Sequence, residues 1–512
     1  MTNFRVASLE QDVVAAFAKE IGGITPTYHI KSRPDGDFLI FEFSAPSSRF
    51  FEALGRVNIQ LDDLHPFKDR SSVTGRTRKP ANVLLMPEAA LLQRELSASL
   101  TVDRNTFGAD FLSRYTPSVT QLEKNIVVHA NHIVFGRRGS GKSSLLAYAM
   151  HHLRLQGMPY CWIAMQAFAS RTDKQAIASV LAEIFSEMSG HAEHAHNFSA
   201  MANEFLALGE LESDDVVAKR LNRLIPRARK VLATVTSDKR PLTIFLDDLH
   251  VVGRELQPDL LGYVYSLARG NRVFIKLSGI EQLTSLWNSV TKRGMEAPHD
   301  IQTLMLDHNL TSPDQSKDHI KNILERHAKY CGLPGIDYIA TDEFIDRLVL
   351  SAAAVPRDAL SLFSKSIARS VLKRQKAVSI TSLNAAASEA IEEKLRDIES
   401  DVSGDDKADI SEYLDEVKTF CLTAHKKNAF LAKIANKDPS YIELQKLVAL
   451  RFVHILHEGI TPHKAGERYV ALMLDFGFYI GVRAARSVDI FPDRPRPLAV
   501  KELRTLPIFV RK

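Results

Sequence analysis

The run Gly136-Arg137-Arg138-Gly139-Ser140-Gly141-Lys142-Ser143 restricts the fold more than any other stretch of this chain. It follows the pattern G-x-x-x-x-G-K-[ST]. Its glycines allow a turn tight enough for the backbone N–H groups to converge on an anion. Such a turn needs a buried strand before it and a helix after it. The apolar run His132-Ile133-Val134-Phe135 suits the strand, and the stretch from Ser144 to Met150 continues as a helix with one apolar side. The loop therefore predicts an α/β domain with a parallel sheet. Gly136, Arg137, Arg138, Gly139, Ser140, Gly141, Lys142, Ser143 and Ser144 are its phosphate-cradling residues. Lys142 reaches the β- and γ-phosphates, and the Ser143 hydroxyl takes Mg²⁺. The helix N-terminus adds its dipole to the same anion site.

Further along, Leu242-Thr243-Ile244-Phe245-Leu246 is a β-branched, apolar run that ends in Asp247-Asp248. A run of that kind fits a parallel strand buried on both faces. Carboxylates at its C-terminal end fall where ligands bind in open α/β sheets. Asp247 is the expected Mg²⁺ ligand, and Asp248 the group that polarises an attacking water. Further strands are expected at 159–165, 272–278 and 301–306, with a helix over 259–268. Ser278, at the end of its strand, is placed between the two phosphate-binding elements. After residue 311 the periodicity becomes helical, with Ser312 and Thr341 as N-caps. Pro356-Arg357 opens a later helix, Pro being suited to the first turn.

In order and spacing, these features resemble the AAA+ ATPases over about residues 108–395. The phosphate loop, the Asp247-Asp248 strand, Ser278 and Pro356-Arg357 are similar to that family's Walker A, Walker B, sensor 1 and sensor 2. Pro356-Arg357-Asp358-Ala359-Leu360 resembles the lid motif of the Orc/Cdc6-like and STAND branches. The resemblance implies ATP and Mg²⁺ as cofactors, with Lys142, Asp247, Asp248, Ser278 and Arg357 as catalytic residues. Arg357 would report the γ-phosphate to a helical lid. Asp248 stands where the family carries glutamate, one methylene longer, which implies slow hydrolysis. Arg269 and Arg272 lie where some relatives carry an arginine finger. A small-molecule kinase is a third, less favoured, P-loop class. No Asn-Lys-x-Asp guanine motif occurs, so adenine is expected, with Arg114 to Pro117 as a contact segment.

The expected fold class is a P-loop NTPase parallel sheet with an α-helical lid, an N-terminal α/β domain, and a mainly helical C-terminal domain compatible with a winged helix. The expected boundaries are 1–107, 108–310, 311–396 and 410–512. In the first of these, residues 28–31 and 38–43 read as a hairpin around Pro34-Asp35-Gly36-Asp37. Residues 68–79, with Lys68, Arg70, Arg76, Arg78 and Lys79, read as a solvated loop or a phosphate-gripping one. The Asp-rich stretch 397–409 reads as a linker. Beyond it, helices are expected over 441–456 and 464–475, followed by a short strand at 476–482. His463, Lys464, Arg468, Arg483 and Arg486 would face duplex DNA. The tail from Phe491 is expected to be extended.

At 512 residues with 45% hydrophobic and 25% charged content, the chain has the composition of a multidomain globular protein. No apolar run reaches membrane-span length, and the first residues show no basic-then-apolar leader, so a cytoplasmic protein with no membrane association is expected. The three cysteines show no C-x-x-C pairing; a reducing compartment is expected and a zinc site is not. A net charge of +5 is compatible with duplex DNA without requiring it. The chain is expected to act as an ATP-driven switch that couples nucleotide state to DNA binding or to a homo- or hetero-oligomer. The alternative is a STAND-like regulatory or defence ATPase that senses a protein partner.

Overall fold

The turn at Pro34-Asp35 joins Thr27–Arg33 (β1) to Gly36–Phe43 (β2) in antiparallel register, with Arg33 opposite Gly36. Ser71–Gly75 (β3) adds to β2 in parallel. In the computed structural model, described residues are 2–102, 110–169, 171–190, 195–210, 213–306, 310–401, 404–435, 438–461, 467–480 and 488–511, with backbone alone for 2–8 and 397–409 and for residue 282. The chain divides into two compact units. One holds Met1–Thr101, Ser113–Thr116 and His308–Lys512; the other holds Val102–Leu112 and Pro117–Asp307.

The second unit is built on His132–Phe135 (β4), Tyr160–Ala164 (β5), Leu242–Asp247 (β6) and Val273–Gly279 (β7). A small antiparallel pair follows, Trp287–Asn288 (β8) with Arg293–Gly294 (β9), and then Gln302–Met305 (β10). The five-stranded sheet runs β10-β4-β7-β6-β5, and every pairing in it is parallel. β4 and β6 are buried at every position, as expected of strands covered by helices on both faces. Because β7 lies between β4 and β6, the three chain ends that could meet a phosphate emerge side by side. Midway along β7, Lys276 is buried. Its Nζ donates to the carbonyls of Val128 at 2.6 Å and Ala130 at 2.9 Å, and lies 2.7 Å from His132 Nδ1. Burial pushes that ammonium down to about 7.

In the first unit the N-terminal sheet and the lid share one core. Phe41, Phe43, Phe50, Phe344 and Phe363 belong to the same buried cluster. Gly332, at φ +85°, brings its backbone against Phe50 and Phe43, where an added Cβ would sit 3.0 Å from the Phe50 ring. The helices Pro87–Ala98 and Pro356–Leu372 pack together, and Ser97 Oγ lies 2.8 Å from Ser364 Oγ. The basic loop is structural at three of its positions. Arg76 is ion-paired to buried Glu88 at 3.0 Å, Lys68 to Asp63 at 2.9 Å, and Lys79 sits over the Tyr338 ring.

The C-terminal part departs from the expected helices. Ala429–Lys433 (β11), Val453–Ile460 (β12), Tyr469–Leu474 (β13) and Ile508–Phe509 (β14) form a sheet in the order β12-β13-β11-β14. The helix expected over 441–456 stops at Ala449, and Arg451 turns the chain through φ 64° into β12. The helix expected to end at Asp475 is instead β13 over 469–474, paired antiparallel to both β11 and β12. Tyr469-Val470-Ala471-Leu472-Met473-Leu474 is apolar at every position, so its periodicity cannot separate a buried strand from a buried helix. The 476–478 stretch is a short 3-10 turn rather than a strand. Backbone around the expected linker is helical, in Ile380–Asp401 and Gly404–Lys418. The order helix, strand, helix, hairpin is compatible with a winged helix. His463, Lys464, Arg483 and Arg486 lie outside the described residues. The tail folds back, with Phe491 held by Asn428 and Ile508–Phe509 completing the sheet.

Cys161, Cys331 and Cys421 are buried, and none of the three is in a disulfide. Among the described residues, no helix is long and apolar enough to cross a membrane.

Candidate nucleotide site

The phosphate loop leaves β4 at Gly136 and enters the helix Lys142–Leu155. Gly139 and Gly141 adopt φ +84° and +100°, a region costly for any residue with a Cβ. Gly136 answers a different demand. A Cβ there would lie 2.5 Å from the Leu306 carbonyl and 2.6 Å from Ser140 Oγ. The loop is folded onto itself, with buried Lys142 donating from Nζ to the carbonyls of Gly136 and Arg137 at 3.1 Å each. Ser140 is buried too, and its hydroxyl has no hydrogen-bond partner. That is an orphaned donor inside a loop built for anions, and it fits a phosphate oxygen. Arg137 is half-buried, Arg138 exposed, and Ser144 sits in the first helical turn.

Three hydroxyl and carboxyl groups meet at Asp247. Ser143 Oγ donates to Asp247 Oδ1 at 3.1 Å, and Ser278 Oγ donates to the same oxygen at 2.6 Å. The Asp248 N–H donates to Ser278 Oγ at 2.7 Å. Ser278 therefore clamps both acids: its one proton is committed to Asp247 and its lone pair to the Asp248 backbone. Burial, and then the neighbouring Asp248 carboxylate, push Asp247 up to about 6, against the hydroxyls of Ser278 and Ser143 and the charge of Lys142. A buried carboxylate and a serine hydroxyl form a hard-oxygen donor set, which suits Mg²⁺ bound together with phosphate oxygens and water.

Asp248 is in the left-handed region, φ 61° and ψ 46°, and caps the short turn Leu249–Val251. That turn returns His250 toward the acids, a residue the sequence reading did not select. Its Nδ1 lies 3.8 Å from Asp248 Oδ1, with the ring 12% exposed. The available signal was its position two residues after the acid pair. Arg269 and Arg272 sit in the turn before β7, at the opposite end of that strand from Ser278, and Arg272 pairs with Asp238 at 2.7 Å.

Two sequence-selected residues belong to the other unit. Arg114 is ion-paired to Glu95 at 2.5 Å and packs over the Tyr330 ring. Arg357 is half-buried in the first turn of Pro356–Leu372. Its neighbour Asp358 accepts two hydrogen bonds from Arg451 Nη1 at 2.7 and 2.8 Å.

Residues 128–275 match the AAA ATPase domain family. That match takes in the phosphate loop, both acids and His250. Among solved structures the chain is similar to Drosophila ORC bound to DNA, with 12% identity over 84% of this chain and 97% of that one and a TM-score of 0.35. It is also similar to the Aeropyrum pernix ORC1 protein in complex with DNA, with 13% identity, coverage of 75% and 93%, and a TM-score of 0.40. A third is Cdc6p from Pyrobaculum aerophilum, with 12% identity, coverage of 79% and 98%, and a TM-score of 0.37. No curated protein matches the chain.

Proposed function

We propose that this protein is an ATP-hydrolysing molecular switch that uses Mg²⁺ and couples its nucleotide state to DNA binding or assembly. The observation that carries this is the convergence of Ser143 and Ser278 on Asp247 beside a closed phosphate loop. On binding, Lys142 exchanges its two carbonyl partners for phosphate oxygens, and the Ser140 hydroxyl gains an acceptor. Ser143 and Asp247 would hold Mg²⁺, which supplies charge withdrawal from the β- and γ-phosphates. Asp248 accepts the proton of the attacking water, and Ser278 fixes the spacing of the two acids. Arg357, by its likeness to a sensor 2 arginine, is the candidate sensor residue of the lid. Asp358 then passes the helix position to the C-terminal part through Arg451. ATP needs only to bind one arrangement of this helix better than another.

A second reading, protein sensing without DNA, is favoured by one feature. The charged residues of Pro439–Ala449 are Glu443 and Lys446, and Glu443 is ion-paired to Arg511 at 2.7 Å. A groove-facing helix normally carries more positive charge. ATP hydrolysis by wild type and Lys142→Ala, with and without duplex DNA at two salt concentrations, separates the readings. Lys142-dependent turnover stimulated by DNA, with the stimulation fading in salt, is the result expected of a DNA-coupled switch. Lys142-dependent turnover indifferent to DNA moves the assignment to a protein-sensing switch. Turnover equal in the two proteins overturns the ATPase reading.

A further inference from the structure

His250 is expensive where it stands. Its Nδ1 is buried and has no hydrogen-bond partner, a condition that costs about 1–3 kcal/mol relative to an apolar side chain of the same shape. A side chain kept only for packing would not carry that nitrogen. The ring's surroundings suggest what the nitrogen is for. Asp248 Oδ1 lies 3.8 Å away, and the charges of Lys142 and Arg138 both act on the ring from the phosphate loop. Burial, the largest effect, keeps the imidazole neutral by pushing it down to about 4. The left-handed Asp248 and the short turn after it direct the ring back at this carboxylate.

We infer that His250 is a positioning residue for hydrolysis, a role that rests on the ATPase reading above. Its Nδ1–H closes onto Asp248 Oδ1 when nucleotide is bound and holds that carboxylate in the orientation that receives the water proton. The water oxygen forms a bond to the γ-phosphorus, and the bond from that phosphorus to the bridging oxygen breaks with its electron pair left on ADP. The water proton passes to Asp248. His250 gives up no proton and takes none. It compensates for the methylene that Asp248 lacks relative to a glutamate. Catalytic hydrogen bonds that are long without ligand commonly shorten in the reactive complex.

The test compares His250→Asn, His250→Gln and His250→Leu with wild type, measuring kcat for ATP and the equilibrium affinity of a fluorescent ATP analogue. Asn sets its amide where Nδ1 was; Gln sets it where Nε2 was. The expected result is a kcat about tenfold lower or more for Leu and Gln, with Asn within roughly threefold of wild type. Nucleotide affinity is expected to stay within about twofold throughout. Equal loss in Asn and Leu, unchanged kcat in Leu, or a loss confined to affinity overturns the positioning role and leaves the ATPase reading standing. Absence of Lys142-dependent turnover in wild type overturns both. If Leu fails to fold, the contrast between Asn and Gln decides the question.

Discussion

Two buried aspartates end two strands of this molecule, and their surroundings are opposite. Asp247, at the end of β6, is held by the hydroxyls of Ser143 and Ser278 and sits next to Asp248. Asp475, just after β13, accepts from Lys394 Nζ at 2.9 Å and lies 3.0 Å from His454 Nε2, with the Gly477 N–H on its other oxygen at 2.9 Å. Burial raises both carboxyls. At Asp247 it prevails, and the group stands at about 6. At Asp475, Lys394 and His454 together outweigh it and hold the carboxyl well below the usual range. A buried acid compensated by cations is part of the fold. One supported mainly by hydroxyls is suited to take a cation from outside, and shifts of this kind cluster at functional sites.

Removing each charge breaks the comparison most directly. Asp475→Ala strands Lys394 and His454 and should cost roughly 3–5 kcal/mol, read as a lower midpoint in far-UV circular dichroism melting. Asp247→Asn should act in the opposite sense. It removes a charge that burial disfavours, so the ligand-free protein should gain about 1–3 kcal/mol while losing Mg²⁺-dependent ATP binding. Both tryptophans, Trp162 and Trp287, lie in the ATPase unit, so tryptophan fluorescence melting follows that unit. A ligand-free Asp247→Asn protein that melts lower than wild type would falsify the assignment of Asp247 as an uncompensated acid.

The pH dependence sharpens the contrast. Asp247 has a raised pKa, so its contribution to stability is present below about 3.8 and is lost as pH rises through about 6. Mg²⁺-dependent nucleotide binding runs the other way and should weaken as pH falls through about 6, because the metal needs the carboxylate; a titration at fixed Mg²⁺ tests it. Asp475 has a depressed pKa, so its stabilisation is present above 3.8 and is lost as pH falls below that value. The smallest effect is expected of Ser278→Ala. It removes one hydrogen bond to Asp247 and the acceptor of the Asp248 N–H, for a loss of about 1–2 kcal/mol in the tryptophan-monitored melt. A several-fold lower kcat should accompany it.

The ATPase core was legible because its signals are local. A strand, a glycine turn and a helix start fall within about a dozen residues, and the acid pair directly follows its strand. Each demand is met by backbone geometry at that place, as at Gly139 and Gly141. The clamp made by Ser278 was less visible. Its position between the phosphate-binding elements could be anticipated, but the commitment of its proton to Asp247 depends on the register of β6 and β7. His250 carried almost no signal, since the meaning of its nitrogen lies in what surrounds it.

The sequence by itself determined the phosphate loop, the parallel sheet around it, the acid pair and the N-terminal hairpin, because short-range sterics and strand burial leave few alternatives there. Only the tertiary structure decided that the N-terminal sheet and the lid share a core, that 453–460 and 469–474 are strands, and that Arg451 grips Asp358. The physical reason is common to all three. A uniformly apolar segment such as 469–474 is satisfied equally by a buried helix or a buried strand, and an arginine by any nearby acid. What selects among them is the partner backbone and the partner charge, contributed by residues distant in the chain.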